Sequence, residues 1–165
     1  MKKKTLFNKV DGETLKQRLL ESDVKRTTIS FYKYFTIPDP QEYRNELFVE
    51  WDALDVFGRI YLAKEGINAQ LSLPTENFEQ FKKQLYAKKP FDGLRFNVAV
   101  EDDGKSFFKL QIKVSPKIVA DGIEDESFNP SNMGKHLSAK EFNAITNDEN
   151  TILVDMRNHY ESCLL

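Results

Sequence analysis

The chain has 165 residues, 40% hydrophobic and 30% charged, a composition that suits one compact globular domain with some additional length and excludes disordered or fibrous classes. Its net charge of −2 creates no strong overall field towards nucleic acid, although a local basic patch is enough to hold RNA. The single Cys163 excludes an internal disulfide, one Cys with two His is too small a set for a zinc cage, and no metal site is expected. No apolar run reaches membrane-spanning length and no apolar signal core follows Lys2-Lys3-Lys4, so the cytoplasm is the expected location and no membrane partner is expected.

In chain order, a helix is predicted from Asp11 to about Val24. Asp11 is its cap, Glu13 suits the positive end of its dipole, and Leu15, Leu19 and Leu20 form its apolar stripe. The β-branched and aromatic run TTISFYKYFTI, residues 27–37, reads as a strand closed by Pro38-Asp39-Pro40. Tyr43, Leu47, Trp51 and Leu54 then recur at helical spacing. The stretch GRIYLAKEGINAQLSLP reads as a hairpin: residues 59–63 form one arm, Ala69, Leu71 and Leu73 alternate in the other, and residues 64–68 connect them through Gly66. A helix opening at Pro74-Thr75 aligns Phe78, Phe81 and Leu85. In RFNVAV, Phe96, Val98 and Val100 share one side of a strand, and Asp102-Asp103-Gly104 turns the chain. In FFKLQIKV, Phe108, Leu110, Ile112 and Val114 alternate with Lys109, Gln111 and Lys113.

Strand, helix, strand, strand, helix, strand, with an extra strand and a leading helix, is the split βαβ plan of an α+β protein: an antiparallel sheet with two helices on one face. From Ile123 to Met133 the composition shifts to that of a linker. Beyond it, Ser138 and Glu141 form a capping box for a short helix carrying Leu137, Phe142 and Ile145. Thr151–Val154 reads as a buried strand running into a polar turn, the kind of junction where α/β proteins collect functional groups. The expected division is an N-terminal extension over residues 1–26, a sheet domain over 27–122, a linker over 123–136 and a second unit over 137–165.

No Gly-rich phosphate loop, metal cluster or evident nucleophile–base pair occurs in the sequence. In the AKEGINA loop, Glu65 is a candidate acid or base, Asn68 a donor to a base edge or to backbone, and Lys64 a phosphate contact. The plain alternative is a tight connection needing Gly66 for its backbone and Asn68 for its turn. Tyr32, Tyr34 and Tyr61, with Lys33 nearby, are candidates for an aromatic platform on the uncovered face of the sheet, or else ordinary strand residues. Lys109 and Lys113, with Arg95, form either a basic stripe on neighbouring strands or its solvated side. His136 and His159 lack an evident partner, and nothing around Cys163 marks it as a nucleophile.

Taken together, RTTISFYKYF, FGRIYLAKEGINAQLS, DDGKSFFKLQIKV with KIVADGI, and LVDMRNHYES resemble consecutive motifs of the bacterial rhodanese-domain tRNA uridine hydroxylases, from about Val10 to Ser162. The resemblance implies a ferredoxin-like or acylphosphatase-like domain followed by the beginning of a rhodanese α/β domain. It also implies conversion of the wobble uridine of certain tRNAs to 5-hydroxyuridine, with molecular oxygen as co-substrate and no metal or flavin established. Asp155 and Arg157 match the Asp-x-Arg motif that supports the family's cysteine loop. The closing Cys163-Leu164-Leu165 departs from the pattern, and Cys163 does not match the family's essential cysteine, which falls further downstream.

This chain is therefore expected to be the substrate-facing N-terminal portion of such a hydroxylase, natural or expressed as a fragment, with no catalytic residue of its own and no activity alone. Its implied partner is a tRNA anticodon stem-loop, and its oligomeric state is open. The alternatives are an adaptor domain of a persulfide-forming sulfurtransferase and a non-catalytic interaction module.

Overall fold

A computed structural model describes residues 6, 10–100, 104–119, 132 and 134–155. It divides into two compact units between Ser131 and Asn132. In the first, α1 (Gly12–Leu20) precedes β1 (Arg26–Tyr34), α2 (Pro40–Asp52), β2 (Phe57–Ala63), β3 (Gly66–Pro74), α3 (Phe78–Tyr86), β4 (Asn97–Val98) and β5 (Leu110–Val114). The sheet order is β4-β1-β3-β2-β5. β1 pairs antiparallel with β3 and β4, and β3 antiparallel with β2, which is the split βαβ plan. β5 runs parallel to β2 on the far edge, so the sheet is mixed and not wholly antiparallel as expected.

Local chemistry explains these elements. Asp39 accepts hydrogen bonds from the Gln41 and Glu42 amides, and Pro40 opens α2 where its missing N–H costs nothing. Leu47, Phe48 and Trp51 then bury one side of that helix, as Phe81 and Leu85 do for α3. Both helices meet Ile29, Phe31, Ile60, Leu62, Ile67, Ala69, Leu71 and Leu73, the inward positions of β1, β2 and β3. The Trp51 ring lies 5.5 Å from Phe81, and Phe96 touches Phe31, Phe78, Phe81 and Tyr86 at centroid distances of 5.5–6.3 Å. The abundant Phe thus fills the space between helices and sheet.

Several expectations are corrected. α1 is capped by Asp11 as read but stops at Leu20, which is exposed and lies off the Leu15–Leu19 stripe. The hairpin connection is only Lys64-Glu65; Gly66 pairs with Ala63, and Ile67 and Asn68 belong to β3. Neither turn residue has a positive φ; Gly66 carries it, at +149°, and an added Cβ would run into the Lys33 carbonyl oxygen. β4 has only two residues, and Val98, though on the helix side opposite Ile29, is exposed, as is Val100 at 95%, because α3 and the Phe cluster extend only to Phe96. Val114 is likewise exposed. β4 and β5 lie on opposite edges, so the chain between them makes no hairpin. Asp102 and Asp103 lie outside the described residues, as do Arg157, His159, Cys163 and most of the predicted linker.

In the second unit, α4 (Ala139–Thr146) has the expected capping box: Ser138 Oγ accepts from the Glu141 amide, while Glu141 accepts from the Ser138 amide. Thr151–Val154 is not a strand. Thr151 is tied locally, its amide to the Asp148 carbonyl and its hydroxyl to that of Ile145, and Ile152 is 87% exposed. No described segment pairs with this run, and without a neighbouring strand a β-branched sequence has no ladder to join.

Two measurements check these assignments. Gly66→Ala should lose about 1–3 kcal/mol from backbone strain alone and more from the Lys33 clash. Gly93→Ala, with φ +66° but open space around it, should lose less, so its urea midpoint should be the higher of the two. In the second unit, Lys135, the Ser138 amide and the Ser138 hydroxyl hold the Glu141 carboxyl down from 4.5 to about 2. Because its folded pKa is depressed, the capping contribution is present above pH 4.5 and lost as pH falls towards 2. The Ser138 and Glu141 amide shifts should titrate in that window and change far less in Glu141→Gln.

Candidate functional site

Strand alternation decides which side chains share the second face of the sheet, opposite α2 and α3. One row crosses all five strands in register: Asn97, Ser30, Gln70, Arg59 and Gln111. The next row is Tyr32, Asn68, Tyr61 and Lys113. At about 4.8 Å between strands, the five-strand row spans roughly 19 Å. Its charged strand positions are Arg26, Arg59 and Lys113, with no carboxylate among them. A chain of net charge −2 therefore presents a locally basic surface.

One end of this face is covered. Arg26 lies 4.0 Å above the Phe57 ring and donates to Ser72 Oγ (3.2 Å), Ser72 O (2.9 Å) and Asp55 O (2.5 Å). Burial lowers its pKa to about 10, opposed by the Asp55 carboxylate, so it remains a cation at neutral pH. Leu15 and Leu19 of α1, with Phe57, Pro74 and Phe108, line a 350 Å³ cavity beside it. The uncovered face expected from sequence is consequently uncovered only in its middle.

At the other end, Glu65 Oε1 accepts from the Ile118 amide at 2.9 Å, and Asn68 Nδ2 donates to the Ile118 carbonyl at 3.3 Å. The two side chains act as a substitute strand for one residue, and Ile118 is buried beneath the clamp. Turn carbonyls serve the neighbouring chain too, Glu65 O accepting from Phe35 N and Lys64 O from Ile37 N, both at 2.9 Å. These contacts favour the plain reading of the loop, with Asn68 bonding Ile118 instead of its own turn.

The other predicted positions scatter. Tyr32 is 59% exposed and meets Tyr34 edge-on at 6.2 Å, while Tyr34 is half-buried. Lys33 is in register with Ile67 and so alternates to the helix-covered side. Lys64 is exposed in the turn. Lys113 stands on β5 beside Tyr61, and Lys109 precedes β5 with its ammonium 5.6 Å from the Phe108 ring. Arg95 precedes β4 at the opposite edge, so it forms no stripe with Lys109 and Lys113. Asp155 is exposed in the second unit. Among the described residues no cluster of His, Cys, Asp and Glu fits a metal ion, and no helix is long and apolar enough to cross a membrane.

Sequence reasoning missed Arg26, Arg59, Gln70, Asn97, Ser30 and Gln111. The signal was available as period two: once Ile29, Phe31, Ala69 and Leu71 are inward, their neighbours must be outward.

Comparison with known proteins places residues 26–118 on the model of the UPF0176 acylphosphatase-like domain. A Leptospira interrogans protein named tRNA uridine(34) hydroxylase is 53% identical over 161 residues, 98% of this chain and 44% of that protein. Proteins of the same name from Pectobacterium atrosepticum and Salmonella arizonae are 53% and 55% identical over 157 residues, 94% of this chain and 44–45% of theirs. The chain thus spans less than half the length of these relatives.

Removing the Glu65 acceptor should leave a buried amide unpaired, a loss of about 1–2 kcal/mol at a half-buried site. Glu65→Ala should raise hydrogen exchange at the Ile118 amide on the order of tenfold, and Glu65→Gln, which keeps an acceptor oxygen, should raise it much less. Equal exchange in all three proteins would contradict the clamp.

Proposed function

This chain belongs to the UPF0176 acylphosphatase-like domain family, and from that premise we propose that it is the substrate-facing N-terminal part of a tRNA wobble-uridine hydroxylase that works in the cytoplasm. The observation that carries the reading is the identity above one half to proteins named tRNA uridine(34) hydroxylase along nearly the whole chain. In this reading the second face of the sheet receives the anticodon stem-loop. Lys113 and Arg59 neutralise phosphates, Tyr32 offers its ring to an unstacked base, and Tyr34 braces that ring from the side. Lys64 and Lys109 stand at the margins as further phosphate contacts. Glu65 and Asn68 act through Ile118 and fix the direction in which the chain leaves the sheet. The oxidation of uridine, with molecular oxygen as co-substrate, lies with the part of the relatives that this chain does not match; Asp155 and Arg157, within the matched span, stand at the start of the rhodanese-like domain to which that part belongs.

Binding of anticodon stem-loop RNA, followed by fluorescence anisotropy between about 50 mM and 200 mM salt, tests the reading. Lys113→Ala should weaken binding and reduce the slope of log affinity against log salt by about 1. Tyr32→Ala should cost roughly 1–3 kcal/mol with the slope unchanged. Absence of any binding at the lower salt would overturn the reading.

A further inference from the structure

A groove of 420 Å³ opens on the second face between β1, β3 and β4, and none of the candidates taken from sequence lies in it. Its polar lining is Thr28, Ser30, Gln70, Asn97 and Ser106, and Phe107 supplies an aromatic wall. Among the described residues, the side chains of Ser30, Gln70 and Asn97 make no hydrogen bond, although register places them side by side. Thr28 Oγ1 is buried beside the groove with no partner among the described residues, an arrangement that ordinarily carries a cost of about 1–3 kcal/mol. The Ser30, Gln70 and Asn97 side chains are thus gathered around a volume and left unused among the described residues.

We infer that this groove is a binding site for one unstacked nucleobase, held by the Gln70 and Asn97 amides and the Ser30 hydroxyl and stacked on Phe107; the inference rests on the RNA-facing reading above. The lining separates a base from the other parts of a nucleotide. No Lys or Arg lines the groove, so a phosphate would enter it unneutralised. Side-chain amides and hydroxyls instead match the donor and acceptor edges of a base, and aromatic rings bind its face. One cation stands just outside, Arg59, in register with Gln70 on the side away from Ser30; the Tyr32 ring lies two residues along β1 from Ser30, roughly 6–7 Å away. The phosphates of a strand whose base enters the groove are thereby directed towards Arg59. Because amides donate and accept, the groove discriminates among bases by edge geometry, a selectivity that the flat ring of Tyr32 does not offer.

The test uses anticodon stem-loop RNAs in which one loop nucleotide at a time is made abasic, titrated against the 165-residue chain, the double variant Gln70→Ala/Phe107→Ala, and Ser30→Leu, which fills the groove. Thermal midpoints confirm that each variant is folded, and Ser30→Leu covers the case in which the double variant is not. One abasic position should weaken binding to the original chain on the order of tenfold and have no further effect on either variant. If all abasic RNAs rank alike on the original chain and on the folded variants while Tyr32→Ala still weakens binding, the groove inference is overturned and the RNA-facing reading stands. If the original chain binds none of the RNAs, the RNA-facing reading itself has failed.

Discussion

Nine consecutive residue pairs lock β1 to β3, from Arg26 opposite Pro74 to Tyr34 opposite Gly66. Everything else follows from that register. A slip of β1 by one residue against β3 would turn Ile29 and Phe31 away from α2 and α3 and drive Ser30 and Tyr32 into the core. Burying those polar groups against Trp51 and Phe81 without partners would cost several kcal/mol. The aliphatic face under two helices therefore specifies the polar face as firmly as it specifies itself. Gly66 closes the register at one end, where its missing side chain admits the Lys33 carbonyl, and Arg26 closes it at the other through Ser72 and Asp55.

The polar face is consequently a built surface with three zones. Arg26, Phe57 and α1 seal one end, and the Glu65–Asn68 clamp on Ile118 seals the other. Between them lie the two rows that end in Gln111 and Lys113, carrying positive charge and aromatic rings but no acid. Overall charge conceals this, since the acidic residues that bring the chain to −2 lie off these strand positions. The Asp55 carboxylate offsets part of the Arg26 charge, and the guanidinium's donors are already committed to Ser72, the Asp55 carbonyl and the Phe57 ring. Arg59 and Lys113, both exposed, are the effective cations.

Signals that act within a few residues were legible. Asp11 and the Ser138–Glu141 box cap helices as their residue types require, and the alternation of Leu71 with Gln70 is that of a half-buried strand. Signals set by neighbours were not. Thr151–Val154 has the composition of a strand, yet a strand exists only with a partner to pair with. Val98 and Val100 alternate correctly but lie beyond the reach of α3. Glu65 and Asn68 could be read as functional groups or as parts of a tight turn, but not as a clamp, because their partner, the Ile118 backbone, is about 50 residues away in sequence. Lys109 and Arg95 looked adjacent because β4 and β5 are consecutive, whereas the topology sends them to opposite edges.

Under the proposed function, the face opposite α2 and α3 is the one that meets RNA. Backbone amide shifts of the 165-residue chain, recorded while anticodon stem-loop RNA is added, address it most directly. Changes should concentrate on β1, β3 and β5 at Ser30, Tyr32, Gln70 and Lys113, with the exposed sides of α2 and α3 unmoved. Changes confined to those helices, or spread evenly over the surface, would contradict it.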